Sequence, residues 1–152
     1  MFEKWSSYAM MPIRLILGFG FLYHGVTKFT GGIENTVGFF DSIGIPAAGL
    51  MAWVVALLEI FGGLALIAGA FVGVVSLLLI INMLVAMFTV HLPNGFNFMN
   101  QPPGAEVNLL YIAGLVALML TGAGIMSVDE MRKGKASDAA MDKTGGGSGG
   151  PG

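Results

Sequence analysis

The feature that most constrains this chain is an apolar stretch over residues 43–92, in which Glu59 is the only Asp, Glu, Lys or Arg. A helix of about 20 apolar residues crosses the hydrocarbon core of a bilayer, so the stretch is long enough for two passes. A charged carboxylate at mid-bilayer costs roughly 2.5–3.5 kcal/mol on insertion scales. Glu59 is therefore expected to face protein, a partner charge or water, or to be protonated.

The composition supports a membrane protein and narrows the chemistry. The 152 residues are 55% hydrophobic and 11% charged, whereas soluble domains carry about 25% charged residues. A net charge of −2 argues against nucleic acid as a partner. The chain has no cysteine, which excludes disulfides, thiolate nucleophiles and cysteine-ligated iron–sulfur or c-type haem groups in it.

Hydropathy predicts four transmembrane helices, at residues 10–29, 47–67, 72–91 and 106–124. A signal peptide is the competing interpretation of the first segment, and we reject it because no Ala-x-Ala-like cleavage site follows. The loop at residues 30–46 is expected to hold a short interfacial helix or re-entrant segment. The loop at residues 92–105 is expected to lie on the membrane surface. Gly69 and Gly73 form a small-xxx-small pair that would let helices approach closely.

The charge distribution predicts the orientation of this all-α, four-helix membrane bundle. Lys4 precedes the first helix, and Arg132, Lys133 and Lys135 follow the last one. By the positive-inside tendency both termini are cytoplasmic. The predicted domains are a transmembrane domain at residues 1–130 and a flexible Gly-rich tail at residues 131–152, whose composition buries too little apolar surface to order itself.

Two polar residues inside the membrane are candidates for a buried pair. From the helical rise of about 1.5 Å per residue, Arg14 and Glu59 lie at depths that a long arginine side chain can bridge. An interhelical ion pair is the structural interpretation. A proton relay or the polar floor of a ligand cavity is the functional one. Asn82 would complete either arrangement by hydrogen bonding.

A second polar cluster is predicted at the outer surface. His24 and Lys28 are four residues apart and share a helix face, while His91 ends the third helix and Glu106 starts the fourth. This cluster could bind a quinone-type headgroup, whose carbonyl oxygens need donors, and histidine suits proton exchange near neutral pH. The structural alternative is that these residues anchor helix ends and meet water. Apolar loop residues are expected to roof the space: Phe39, Phe40, Phe96 and Phe98.

Other cofactor chemistry is less favoured. Two histidines near a surface are a weak signal for a bis-histidine haem, and His24, His91 and a carboxylate are an equally weak one for a metal ion. The eleven methionines are scattered, which indicates flexible packing rather than copper handling. No metal and no covalently bound cofactor is predicted.

The order of the motifs resembles the DoxX family of small bacterial membrane proteins, over the part of the chain from Arg14 to Asp129. The matching motifs are Arg14 with Leu17-Gly18, His24-Gly25, Lys28, Phe39-Phe40, Gly44-Ile45-Pro46, Glu59 with Gly62-Gly63, His91-Leu92-Pro93-Asn94-Gly95-Phe96, Glu106, Gly122-Ala123-Gly124, Ser127 and Asp129. The resemblance implies a four-helix membrane bundle in the bacterial cytoplasmic membrane. It also implies a link to thiosulfate:quinone oxidoreduction or to membrane redox complexes with soluble partners.

Two functions from different classes follow. The first is a membrane subunit associated with quinone-linked redox chemistry. The second is a non-catalytic accessory subunit that packs against other subunits of a larger membrane complex. Because the chain has no cysteine for a persulfide, any sulfur oxidation would need a partner subunit or chemistry on the quinone side alone.

Overall fold

The computed structural model describes residues 3–101 and 103–145, and within these ranges the chain is all-helical, without strands. The π-helical turn Met87–His91 and the 3₁₀ turn Leu92–Asn94 extend the helix that begins at Val72. The helices are α1 (Glu3–Thr30), α2 (Ile33–Ser42), α3 (Ala48–Ala68), α4 (Val72–Ala86), α5 (Glu106–Thr121) and α6 (Val128–Gly145).

Three segments of the described chain are long and apolar enough to cross a membrane: Tyr8–Thr30, Ala48–Ala68 and Val72–Asn94. They match the first three predicted helices to within a few residues. The fourth, α5, is apolar but has only 16 residues, or about 24 Å of helix. It ends at Thr121, before the predicted residue 124, because Gly122 leaves the helix with φ 84°.

Glycines bring α1 and α3 into backbone contact as an antiparallel pair. A Cβ placed on Gly63 would lie 2.6 Å from the backbone nitrogen of Leu22, and one on Gly25 would lie 2.8 Å from that of Ile60. Real Cβ atoms do not approach other atoms so closely, so only glycine fits at these positions. Small residues allow membrane helices this kind of close packing.

The predicted glycine pair is not such an interface. Gly69 ends α3 in the left-handed conformation, with φ 70°, and a Cβ on Gly73 would have no heavy atom within 4 Å. The prediction was wrong because the turn between α3 and α4 separates the two glycines, so they do not lie on one face of a single helix.

The apolar core lies between α1, α3, α4 and α5. Its largest fully buried side chains include Phe21, Leu66, Leu79, Leu115 and Leu118. Large apolar side chains are also exposed along the outer faces of these helices, as in Ile16, Phe19, Leu50 and Leu120. Such faces suit contact with lipid tails.

The two remaining helices lie outside this core. The helix α2 has no buried residue and fits the short interfacial helix predicted in the first loop. The helix α6 differs from the prediction of a flexible tail from residue 131, since the chain stays helical to Gly145. Ser127 starts it by accepting a hydrogen bond from the Glu130 backbone N–H at 3.2 Å, and the following Ala, Lys, Arg and Met residues favour helix. The predicted flexibility of residues 146–152 lies outside the described residues.

Candidate functional site

One cavity of about 650 Å³ lies between the helices, on the side where α1 ends and α5 begins. We call it the His24–His91 cavity. Its wall is mostly apolar and comes from α1 to α5 and from the turn after α4. The polar side chains that line it are His24, Lys28, Glu59, Asn82, Thr89, His91, Asn108 and Tyr111.

The structure brings most of the predicted outer cluster together. His24, Lys28 and His91 all line the cavity. Glu106 is not part of the lining. Its Oε2 accepts a hydrogen bond from the Phe98 backbone N–H at 3.2 Å, so Glu106 holds its own loop in place.

The predicted aromatic roof is half correct. Phe39 and Phe40, at the end of α2, line the cavity. Phe96 and Phe98 do not, and both are exposed. From the loop at residues 92–105, Pro103 lines the cavity instead.

Glu59 forms the polar floor of the cavity and is only 6% exposed. Lys28, in the last turn of α1, donates to its Oε2 in an ion pair. Asn82 of α4 donates to its Oε1 at 3.2 Å, so the amide bonds to Glu59 as predicted but completes a pair with Lys28 and not with Arg14. Each carboxylate oxygen thus has a donor, and this compensation is what a buried charge requires.

The predicted pairing of Glu59 with Arg14 was wrong. Close packing of Gly25 against Ile60 places Glu59 at the Lys28 end of α1, and Lys28 is about 21 Å further along the helix than Arg14. The depths of Arg14 and Glu59 along their own helices do not determine how far the two helices are shifted relative to each other. Lys28 is the partner because that stagger puts its ammonium at the carboxylate.

Arg14 instead ties together the opposite end of the bundle. It is 2% exposed, and its Nη1 and Nη2 donate to the carbonyl oxygens of Ala123 at 3.1 Å and Met126 at 3.0 Å. A planar guanidinium can bridge two acceptors in this way. Arg14 therefore fixes α1 to the chain that leaves α5.

Asp129 extends this junction to α4, a role that sequence reasoning missed. Its carboxylate oxygens accept hydrogen bonds from the backbone N–H groups of Phe71 at 2.8 Å and Val72 at 2.9 Å. These groups begin α4 and have no partner within the helix. The Asp129 N–H donates to the Gly69 carbonyl oxygen at 3.0 Å. The only sequence signal was the Ser-Val-Asp-Glu pattern of a helix start.

His91 ends the π-helical turn that follows α4, and such turns are frequent at functional sites. Its Nδ1 lies 2.8 Å from the carbonyl oxygen of Pro103. A carbonyl oxygen only accepts hydrogen bonds, so Nδ1 carries the hydrogen. In the neutral ring Nε2 is then an acceptor. The prediction from the sequence was that the histidine donates to a carbonyl oxygen of the ligand.

Within residues 3–101 and 103–145 the structure shows no group of three or more His, Cys, Asp or Glu residues that could hold a metal ion. The cavity is therefore described by its hydrogen-bonding groups. Those groups are two imidazoles, a neutralised Lys28–Glu59 pair, amides and hydroxyls on an apolar wall.

These features define a class: an all-helical membrane protein whose helices enclose an apolar cavity with a small, paired set of polar side chains. The chain belongs to the DoxX family, whose model matches residues 9–92. No solved structure matches the chain.

Curated relatives from three bacteria cover most of the chain. "Putative oxidoreductase CatD" of Bacillus subtilis (strain 168) is 35% identical over 117 residues, which are 77% of this chain and 81% of that protein. An uncharacterized membrane protein of Mycobacterium tuberculosis is 32% identical over 129 residues, 80% of this chain and 79% of that protein. An uncharacterized protein of Haemophilus influenzae is 29% identical over 128 residues, 84% of this chain and 92% of that protein.

Proposed function

We propose that this protein binds a lipid-soluble molecule of the quinone type in the His24–His91 cavity and is a membrane subunit of a quinone-linked redox system. The observation that carries the proposal is the convergence of His24, Lys28 and His91 on one apolar cavity of about 650 Å³. Small-molecule sites usually have about 300–1,000 Å³, mostly apolar walls and a few convergent polar groups. The name of the Bacillus subtilis relative, "Putative oxidoreductase CatD", supports the redox setting.

The cavity wall offers a lipid-soluble molecule both an apolar edge and a polar end. Val54 of α3 and Leu78 and Ile81 of α4 line the cavity and are 44–51% exposed. The polar end is Glu59 with its two donors. A molecule with an apolar tail and a small polar ring would place its tail along the edge and its ring over Glu59.

The imidazoles suit the proton exchange that accompanies quinone chemistry. Reduction of a quinone to a quinol takes up electrons and protons together, and oxidation releases both. His24 or His91 would transfer protons at the headgroup oxygens. We propose that a partner subunit supplies or accepts the electrons, and this chain has no cysteine with which to do so through sulfur.

We also propose that α1, α3, α4 and α5 all cross the bacterial cytoplasmic membrane, with both termini in the cytoplasm. The support is that α5 is apolar and packs against both α1 and α4. The basic residues Arg132, Lys133 and Lys135 in α6 follow the positive-inside tendency. The His24–His91 cavity then faces the outer leaflet.

The test is to purify the full chain from bacterial membranes in mild detergent, extract it with organic solvent and quantify quinone and quinol by chromatography. We expect a near-stoichiometric sum of quinone and quinol in the wild type and a reduced sum in His24→Ala and His91→Ala. Lys135→Ala, far from the cavity, is the control and should retain the wild-type amount. A folded wild-type protein with no more quinone and quinol than the surrounding lipid carries would refute the proposal.

A second candidate is a non-catalytic accessory subunit of a larger membrane complex. It draws support from the small size of the chain and from large apolar side chains exposed on several helices, which a partner as well as lipid could cover. Native pull-down from membranes separates the two candidates. A quinone-free chain that is stable only together with co-purifying membrane subunits favours the accessory role.

A further inference from the structure

We infer that the His24–His91 cavity selects the reduced, hydroxyl-bearing form of its ligand, a quinol or related phenol, and that Nε2 of His91 accepts the hydrogen bond from that hydroxyl. The inference rests on the proposed function, because it concerns the ligand of the same cavity. It goes further by stating which member of the quinone–quinol couple the protein holds, and through which atom.

The first step is that the ring hydrogen of neutral His91 is on Nδ1. Its Nδ1 is 2.8 Å from the Pro103 carbonyl oxygen, and this contact requires the hydrogen on Nδ1. The neutral ring has only one N–H. Within the described part of the chain no hydrogen bond is made by Nε2, so this atom is left as an acceptor on a residue that lines the cavity.

The second step is that several polar side chains in the lining already have partners within the protein, and none of those partners is Nε2 of His91. Asn82 donates to Glu59 at 3.2 Å and Asn108 to the carbonyl oxygen of Met83 at 3.3 Å. The Thr89 hydroxyl donates to a backbone carbonyl of its own helix at 2.7 Å. Each amide keeps a second N–H, so a quinone carbonyl still finds donors here, but within the described residues none of these side chains bonds to Nε2 of His91.

The third step compares a carbonyl with a hydroxyl group of the ligand at the polar end of the cavity, where Lys28 and Glu59 lie. Lys28 has three N–H groups, and the structure gives it Glu59 and the backbone carbonyl of His24 as partners. Its remaining N–H can reach either a carbonyl or a hydroxyl oxygen. A hydroxyl can accept from Lys28 and also donate to His91, whereas a carbonyl can accept from the ammonium but has no hydrogen to donate to Nε2. A bound quinone would leave Nε2 desolvated and without a partner, which is unfavourable.

The inference predicts a measurable preference. Loss of one hydrogen bond to a group that the ligand shields from water typically weakens binding about tenfold. The full chain in detergent is titrated calorimetrically with a decyl-substituted benzoquinol, with the corresponding quinone and with the dimethyl ether of the quinol. We expect the quinol to bind about tenfold more tightly than either of the others, since neither can donate.

A matched variant assigns the preference to His91. In His91→Ala the affinity for the quinol should fall about tenfold, while the affinity for the quinone should change less than twofold. Wild type and variant are compared in the same micelles, so the partitioning of each ligand into detergent cancels. Lys135→Ala should keep the wild-type preference. Unchanged quinone binding shows that the variant is folded, and a variant that keeps the quinol preference would overturn the role of His91.

The outcomes for the wild-type protein separate the two claims without any variant. If all three ligands bind equally, the inference is wrong and the proposed function stands. If none binds, both fail. Nitrogen NMR of protein labelled at its two histidines provides an independent test. One imidazole should show an unprotonated Nε2 whose signal moves with quinol and not with the dimethyl ether; a protonated Nε2 on both neutral rings would overturn the inference.

Discussion

Glu59 is a carboxylate in an otherwise apolar helix, and its surroundings show how such a residue is tolerated. Lys28 and Asn82 each occupy one of its oxygens. The ammonium keeps partial contact with solvent or the cavity, since the Lys28 side chain is 22% exposed. The pair is therefore both a structural element and the polar floor of the cavity, and changes at Glu59 should affect both.

Substitutions at Glu59 test this arrangement. Glu59→Gln keeps an acceptor for Lys28 or Asn82, whereas Glu59→Leu removes both acceptors and leaves two donors unpaired. We expect Glu59→Leu to lower the free energy of unfolding by about 1–3 kcal/mol, and Glu59→Gln to lower it by less. Thermal unfolding in detergent micelles measures the difference.

The same experiment has an internal check. Lys28→Met leaves the carboxylate with one donor, so it should also destabilise the protein, and the double variant Lys28→Met/Glu59→Leu should be more stable than the sum of the two single changes predicts. Strict additivity of the two changes would contradict a direct ion pair.

Among the helices, the close approach of α1 and α3 decides where the cavity residues lie. Gly63 meets the backbone of α1 at Leu22, and this contact fixes the stagger that puts Glu59 beside Lys28. Gly73 in α4 has open space where a Cβ would be. Of these two glycines in the same apolar region, Gly63 is thus in contact with a neighbouring backbone and Gly73 is not.

Alanine at each glycine measures that contrast. Gly63→Ala should force the two helices apart and destabilise the protein by about 1–3 kcal/mol, the usual cost of overpacking. Gly73→Ala should be neutral or slightly stabilising because alanine favours helix more than glycine does. The readouts are thermal unfolding and retention of bound quinone. Equal effects of the two substitutions would show that α1 and α3 are not in backbone contact.

The junction at the other end of the bundle gives another prediction. Asp129→Asn loses one of the two acceptor oxygens that bind the first N–H groups of α4, and we expect a cost of about 1 kcal/mol in the free energy of unfolding. Glu130→Gln is the matched control, because Glu130 is the adjacent acid and its side chain is exposed. If the control is as destabilising as Asp129→Asn, the cap is not the cause.

The positions of the apolar helices could be predicted from hydropathy because the bilayer fixes the length of an apolar helix. Their relative stagger could not, because it depends on which glycines of two helices meet. For this reason the predicted pairing of Arg14 with Glu59 was wrong, and Arg14 instead donates to the carbonyl oxygens of Ala123 and Met126. The helical conformation of α6 was missed because a polar composition was taken as a sign of flexibility.

At the scale of the whole molecule, most of the candidate site was predictable as a cluster of polar residues at the same helix ends. His24, Lys28 and His91 do share one cavity. The contribution of Glu59 to the same cavity, and the bond between His91 and Pro103, arise from helix packing and loop conformation. The spacing of residues along the chain predicts neither the position of Glu59 in the cavity nor the contact of His91 with Pro103.

The proposed topology is a property of the whole molecule and can be measured in cells. Reporter fusions after Gly32 and after Asn100 should read as outside, and a fusion after Lys135 should read as inside. The reason is that α1, α3, α4 and α5 would each cross the membrane once, with the basic α6 retained in the cytoplasm. An outside reading at Lys135 would mean that an odd number of helices crosses.

The central claim is that a quinone-type molecule occupies the His24–His91 cavity, and photoaffinity labelling in native membranes tests it most directly. A photoreactive quinone analogue should label cavity residues such as Met51 and Met83, and excess unlabelled quinone should suppress that labelling. Lipid-facing residues such as Leu50 and Leu120 should be labelled weakly and without competition. Labelling confined to those lipid-facing positions, and unaffected by competitor, would contradict the account.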